Sequence, residues 1–507
     1  MPDSSSRRRP ARRPAAAALV RAPLAAVALL ALAAVLPVRA AAQSPARAER
    51  MSSEEADRRA REVLARLTRP EKFWQLYLIP GDLDSASFDY TRGVFGLQIG
   101  ISTIAPSGGV PLPAARPASP AAARPASGAE AVGGLAPVGV IGLGSAPRGV
   151  APRELPLEAR LAYGRAVARA HAARVDSIQR WFTTQSRARV PIIPLDEALH
   201  GLTREGATVF PQAIGLAATF DSALVRRVQD AAATEVRSRG IRMVLSPVVN
   251  LADDVRWGRV EETLGEDVFL TSVMGRQHVR AFESRGIVTT PKHFVANVGA
   301  GGRDSYPMDL SARTLAERVL PPFQALLAAG ARSVMTAYNS VDGSPATQSA
   351  LLLNATLKGA WGFDGFIISD AAATGGATVL HRTEPNTPTA SAHAYRSGLD
   401  VVFQSTWPQH RPYLRAVEEG LIPDSVLDAS VLRVLRAKFQ LGLFDDARVF
   451  PDSAAHWAGH ATHRAVAREA AAASLVLLRN APRDSAARQA WRGNGRAIDT
   501  LAARTLP

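Results

Sequence analysis

The chain has 507 residues, 47% of them hydrophobic and 21% charged, a composition that suits a soluble globular protein with a large core. It has no cysteine, which excludes a disulfide scaffold, cysteine-ligated zinc or iron–sulfur clusters, and thiol catalysis. The formal charge of +15 rests on 60 Lys and Arg residues, only four of them lysine (Lys72, Lys292, Lys358, Lys438); this points to biased codon usage rather than to a nucleic-acid partner, and no nucleic-acid-binding motif is present.

The N-terminus has the layout of an export signal. Arg7, Arg8, Arg9, Arg12 and Arg13 precede the apolar run 22–37, and Ala40-Ala41-Ala42 supplies small residues for cleavage before Gln43. The apolar run is short for a membrane span of about 20 residues. Residues 1–42 are therefore expected to be a signal peptide, leaving an exported chain, periplasmic or extracellular, with no stable membrane anchor. Residues 43–104 are expected to hold an N-terminal helix over 54–79, interrupted at Pro70, and the start of a barrel. Residues 105–152 are rich in Pro, Ala, Gly and Ser and predict a mobile insertion, because they hold too little apolar surface to offset ordering entropy.

Residues 153–468 alternate short β-branched runs with helical segments. The runs are 94–99, 190–195, 241–251, 288–294, 333–339, 366–370 and 399–403. A helix is predicted over 222–239, with Asp221 as N-cap, Gly240 just past its end, and an apolar face of Leu224, Val228, Ala232 and Val236. Alternating strands and helices predict a parallel sheet, and seven or eight such units suit a (β/α)8 TIM-type barrel. No Gly-x-Gly-x-x-Gly opens a helix after a strand, which disfavours a doubly wound sheet.

A barrel of this kind carries its chemistry just past the C-terminal ends of its strands. Polar residues gather there: Asp196, Glu197 and His200; Asp253, Asp254, Arg256 and Arg259; Lys292 and His293; Tyr338 and Asn339; Asp370. Carboxylates mixed with cations and hydroxyls match a pyranose, whose hydroxyls both donate and accept. Each residue also has a structural role open to it. Asp370 could cap a turn, His293 could be a satisfied core histidine, and Arg256 could stack on Trp257. Glu261, Glu262, Glu266 and Asp267 are expected to form a loop network rather than a metal site, since no calcium-loop signature accompanies them. Neither a Gly-x-Ser-x-Gly elbow nor a His-Glu-x-x-His motif occurs.

The segments PLDEALHG (194–201), DVRWGRVEETLGED (254–267), KHFVAN (292–297), GARSVMTAYNSVDGSPAT (330–347) and WGFDGFIISD (361–370) together resemble glycoside hydrolase family 3. That family includes β-glucosidases, β-xylosidases and exo-glucanases, and the resemblance runs from about residue 55 to 480. It implies a (β/α)8 barrel followed by an α/β sandwich domain. It places the nucleophile on Asp370 and the residues that bind the non-reducing sugar on Glu197 (with Asp196 beside it), Arg256, Lys292, His293 and Tyr338. It also implies a retaining, exo-acting β-glycosidase with no metal and no organic cofactor, acting on a β-linked oligosaccharide or aryl glycoside. A retaining enzyme needs an ionised carboxylate to attack the anomeric carbon, and neighbouring cations favour that state.

Two departures from the family pattern stand out. The aromatic residue that commonly follows the nucleophile is Ala371. Residues 469–507 are expected to be a linker and a remnant of the sandwich domain: no Glu follows Glu469, and only Asp484 and Asp499 remain as acids. The family's general acid/base is thus not identified, nor does a His accompany Asp304 in 294–305. Competing functions are a sugar-binding pseudoenzyme and, from a different class, a Schiff-base lyase using Lys292.

Overall fold

The computed structural model describes residues 51–81, 83, 89–100, 156–297 and 306–478. The expected signal peptide, the expected insertion 105–152, and Asp304, Asp484 and Asp499 lie outside the described residues. Among the described residues, no helix is long and apolar enough to cross a membrane.

The N-terminal segment differs from the single interrupted helix expected over 54–79. A helix spans Ser53–Arg66, started by Ser52, whose side chain accepts from Glu55 N, with Glu54 and Glu55 in the first turn. A second, short helix spans Arg69–Trp74 and opens on a capping box in which the Glu71 carboxylate accepts from Thr68 N at 2.8 Å. Pro70 therefore sits in the first turn of a new helix, where its missing N–H has no cost. The chain then becomes extended as strand β1, Tyr77–Pro80. Leu76, Tyr77, Leu78 and Ile79 are fully buried. A continuous apolar run of that length fits a strand covered on both faces as well as a helix, so periodicity alone could not separate the two. Burial of each such side chain is worth about 1.5–3 kcal/mol, and the sheet position realises it on both faces.

Nine more strands follow: β2 (Gly96–Gln98), β3 (Leu195–Asp196), β4 (Met243–Val244), β5 (Val288–Thr289), β6 (Ser333–Met335), a two-stranded hairpin β7 (Ser340–Val341) and β8 (Ser344–Pro345), β9 (Phe366–Ile368) and β10 (Val402–Phe403). Apart from the hairpin they close into a ring. β10, β1 and β2 pair in parallel, as do β3, β4 and β5, and as do β6 and β9. Three seams join these pieces. Ile193 N donates to Phe95 O at 3.1 Å between β2 and β3; Phe294 bridges Thr336 between β5 and β6; Ile368 bridges Val401 between β9 and β10. Eight strands in a closed ring make the fold a TIM-type α/β barrel.

Helices cover the outside, including Leu157–Thr184, Ser222–Ser238 and Val268–Ser284. Helix Ser222–Ser238 starts where Asp221 accepts from Ala223 N and Leu224 N, both at 2.9 Å, and it buries Leu224, Val228, Ala232 and Val236. Gly240 follows with φ +81°, the left-handed conformation that ends the helix without a Cβ clash. One barrel unit departs from the idealised pattern: among the described residues no helix lies between β1 and β2. Helix Ser53–Arg66 packs instead on Asp424–Gln440, tied by ion pairs from Arg436 to Asp57 and from Arg59 to Asp445.

Three buried features hold the ring. A Cβ on Gly96 would lie 2.2 Å from Ile193 O, so the β2–β3 seam requires glycine there. Asp400 is fully buried and accepts from Lys358 Nζ (3.0 Å), Ser430 Oγ (2.9 Å), Arg433 (3.1 Å) and Ile367 N (2.9 Å), locking β9 and β10 to the outer helices. Below β1 and β2, the side-chain nitrogen of Lys438 is buried and donates to Gln75 Oε1 at 2.7 Å. At the other end of the described chain, helix Ala461–Ala473 is followed by Leu475–Leu478, which belong to no strand and are exposed.

Candidate active site

Strand β3 ends on Asp196, followed by Glu197. Asp196 is buried and its carboxylate is used within the protein: Oδ1 accepts from Gln98 Nε2 (3.2 Å) and Glu197 N (2.9 Å), while Oδ2 pairs with Arg204. Asp196 thereby sets the turn that aims Glu197. The Glu197 side chain receives Lys292 Nζ at 2.9 Å on Oε1, and its Oε2 is buried without a hydrogen-bond partner. Removal from water raises the Glu197 carboxyl above its usual range, and Lys292 opposes that shift.

Lys292 and His293 extend β5. Lys292 bridges Val248 in parallel, and Val249 N donates to Lys292 O at 2.9 Å, so this backbone is continuous with the sheet. His293 is buried, its Nε2 lies 3.5 Å from Asp370 Oδ2, and Asn250 holds its other ring nitrogen. Asp370 follows β9 by two residues and is nearly buried. Its Oδ1 accepts from Ala371 N at 2.7 Å, and Ser369 is anchored through its Oγ, which accepts from Phe403 N at 2.9 Å. Ala372 adopts φ +63° and opens helix Ala373–Val379, a sharp turn that leaves the carboxylate at the strand end.

Glu197, Lys292, His293 and Asp370 are thus linked by contacts across the ends of β3, β5 and β9. Tyr338 lies past β6; its ring is mostly buried and its carbonyl accepts from His381 Nε2 at 2.8 Å. Arg256 stands apart from this group. Its side chain is 70% exposed and forms a bidentate pair with Asp254 in a short 3-10 turn, Val255–Trp257. The buried cation of that loop is Arg259, which grips Glu262 at 2.7 and 2.8 Å. Asp267 caps helix Val268–Ser284 through Leu270 N at 2.6 Å. The acidic stretch after Arg256 is therefore partly a loop network, with Glu262 and Asp267 in structural roles.

Three supporting residues escaped the sequence reading: Gln98, Arg204 and Asn250. Asn250 had a usable signal, being a polar residue that closes the apolar run VLSPVVN. Gln98 and Arg204 had none, because their partner Asp196 is distant from Gln98 in the chain and carries no motif of its own for them.

Comparison with known proteins accords with this geometry. Residues 162–437 match the family described as Glycosyl hydrolase family 3 N terminal domain. The chain is 35% identical over 309 residues to a periplasmic beta-glucosidase of Salmonella typhimurium, covering 58% of this chain and 39% of that protein. It is 32% identical over 319 residues to a beta-xylosidase of Formosa agariphila, covering 58% and 44%. Among solved structures, a β-glucosidase from Erythrobacter marinus aligns with a TM-score of 0.68 at 28% identity, over 84% of this chain and 50% of that one. A β-glucosidase from Listeria innocua in complex with glucose aligns with a TM-score of 0.64 at 26% identity, over 85% and 52%. The chain spans 39% and 44% of the lengths of the two curated relatives.

Proposed function

The chain belongs to glycoside hydrolase family 3, and from that premise we propose that it is an exported, retaining, exo-acting β-glycosidase of the β-glucosidase or β-xylosidase type. The observation that carries this is Asp370: a carboxylate at the end of a barrel strand, oriented by Ala371 N and facing His293, with the Glu197–Lys292 pair alongside. Export accords with the N-terminal basic and apolar segments and with the periplasmic relative.

In the first step an Asp370 oxygen attacks the anomeric carbon while the bond to the leaving oxygen breaks, and that oxygen departs with a proton from an acid or, if already stable as an anion, without one. In the second step water attacks the same carbon, the sugar–Asp370 ester breaks, the carboxylate is regenerated, and the water's proton passes to a base. Two displacements at one carbon retain the β configuration. Lys292, His293 and Glu197 act on the glycone through charge-assisted hydrogen bonds to its hydroxyls. Tyr338 and Arg256 complete that binding set in the family pattern; Arg256 would have to leave Asp254 to reach the sugar. No metal or organic cofactor enters either step.

Neither carboxylate of the cluster serves as the proton donor, since Asp370 is the nucleophile and Glu197 is held by Lys292. A positioned acid contributes about 10²–10⁴-fold, and an activated aryl leaving group departs without one, so aryl glycosides test the Asp370 step independently of the acid. Rates on dinitrophenyl β-glucoside and β-xyloside beside cellobiose, with the product anomer followed by NMR, test the proposal. First-formed β-sugar from the aryl substrate supports it; first-formed α-sugar, or no turnover of either aryl glycoside, overturns it.

A further inference from the structure

Asn250 and His293 are both buried, and three contacts join them. Asn250 Nδ2 donates to His293 O at 2.9 Å, His293 N donates to Asn250 Oδ1 at 2.7 Å, and Asn250 Oδ1 also lies 3.1 Å from His293 Nδ1. A backbone N–H only donates and a carbonyl only accepts. The two backbone contacts therefore leave a single orientation for the amide, with its oxygen toward the imidazole. An amide oxygen cannot donate, so the contact at Nδ1 requires the hydrogen on Nδ1.

From this geometry we infer that Asn250 is a positioning residue for the nucleophile: it holds His293 in its Nδ1–H form and turns Nε2 toward Asp370. Nε2 is then the one ring atom at which a proton is gained or lost, and it sits 3.5 Å from Asp370 Oδ2. With a proton there, Nε2 donates toward the carboxylate or toward a sugar hydroxyl between them. Without it, Nε2 accepts from that hydroxyl. In the opposite neutral tautomer Nε2 keeps its hydrogen and can no longer accept, and Nδ1 would meet the amide oxygen lone pair to lone pair. The anchor is stiff: Lys292 N donates to Pro247 O at 3.0 Å and Val249 N to Lys292 O at 2.9 Å, so the strands carrying Asn250 and His293 are in register. This role rests on Asp370 being the nucleophile, whereas the tautomer itself does not.

The test is ¹⁵N NMR of histidine-labelled full chain, with the His293 signals assigned from His293→Gln and long-range couplings giving the protonation of each ring nitrogen. A pyrrole-type Nδ1 is expected at every pH at which His293 is neutral. A neutral form protonated on Nε2 would overturn the inference without reference to turnover. Alongside it, the rate at which a 2-deoxy-2-fluoro dinitrophenyl glycoside inactivates the enzyme is measured. Asn250→Leu should shift the tautomer toward Nε2–H and slow inactivation by about 10- to 100-fold, the scale set by misplacing a reacting group. Asn250→Asp keeps an acceptor for Nδ1 but loses the donor to His293 O, so it should retain the Nδ1–H form that Asn250→Leu loses. An Asn250→Leu protein that keeps the Nδ1–H form and the parent rate would refute the positioning role. A parent chain that shows the tautomer but no inactivation would count against Asp370 chemistry instead.

Discussion

Replacing Lys292 by Met removes the cation from a carboxylate that is already short of partners. At 2.9 Å the Lys292–Glu197 attraction is about 5–6 kcal/mol at an effective dielectric near 20. Desolvation of both groups offsets much of it, and the 29% exposure of the Glu197 side chain screens more. The remainder corresponds to a pair coupling of about 2 kcal/mol. Lys292→Met should cost about 3 kcal/mol, Glu197→Gln about 1, and the double variant about 2, because the second change removes the stranded charge. The pH dependence has a definite sign. Lys292 is the group that lowers the Glu197 carboxyl against the upward pull of burial, so its loss raises that group further. A carboxyl whose folded value is raised adds stability below its unfolded value and loses it as pH rises through the folded one. Lys292→Met should thus be nearly harmless near pH 4 and most damaging near pH 8. Denaturant unfolding of the four proteins across that range measures both effects. Additivity within about 0.5 kcal/mol, or a penalty that grows toward acid, would refute the reasoning.

Gly96→Ala should destabilise the barrel by about 3 kcal/mol or more, since its Cβ would meet Ile193 O at 2.2 Å; an unchanged Tm would contradict the β2–β3 seam. Lys438 is held well below the usual lysine value by burial. The unfolded chain keeps that proton up to about pH 10.4, so between the two values stability rises with pH; Lys438→Met should flatten the rise of Tm from pH 7 to 10, and parallel curves would count against it. Arg256→Ala removes an exposed pair and should leave Tm unchanged, whereas Arg204→Leu strands Asp196 and should cost about 3 kcal/mol; equal losses would contradict these placements.

Local chemistry made much of this fold legible. Asp221 and Gly240 mark both ends of their helix because each supplies what a helix terminus lacks, an acceptor for free N–H groups and a left-handed exit. The strand at 94–99 was visible as a short β-branched run, and β2 forms within it. β1 was not, because residues 76–79 are apolar throughout and the same run satisfies a buried helix. At the site, Glu197, Lys292, His293 and Asp370 were found from strand ends and motif likeness, and the structure brings them into contact. Residue type could not tell which of two neighbouring acids faces outward. Asp196 turns inward to Arg204 and Gln98, while Glu197 reaches Lys292. Nor could spacing reveal that Arg256 would pair with Asp254 two residues away, since that contact depends on the 3-10 turn between them.

The most direct test of the central claim is covalent capture of the nucleophile. The full chain is incubated with a 2-deoxy-2-fluoro β-glucosyl dinitrophenyl ether, whose leaving group departs without a proton, and the protein is digested and mapped by mass spectrometry. A single fluoroglycosyl group on Asp370, absent from Asp370→Asn and removed by added azide, which attacks without a general base, is the predicted result. A label on any other residue, or an unlabelled protein that still hydrolyses the parent aryl glucoside, would contradict the account.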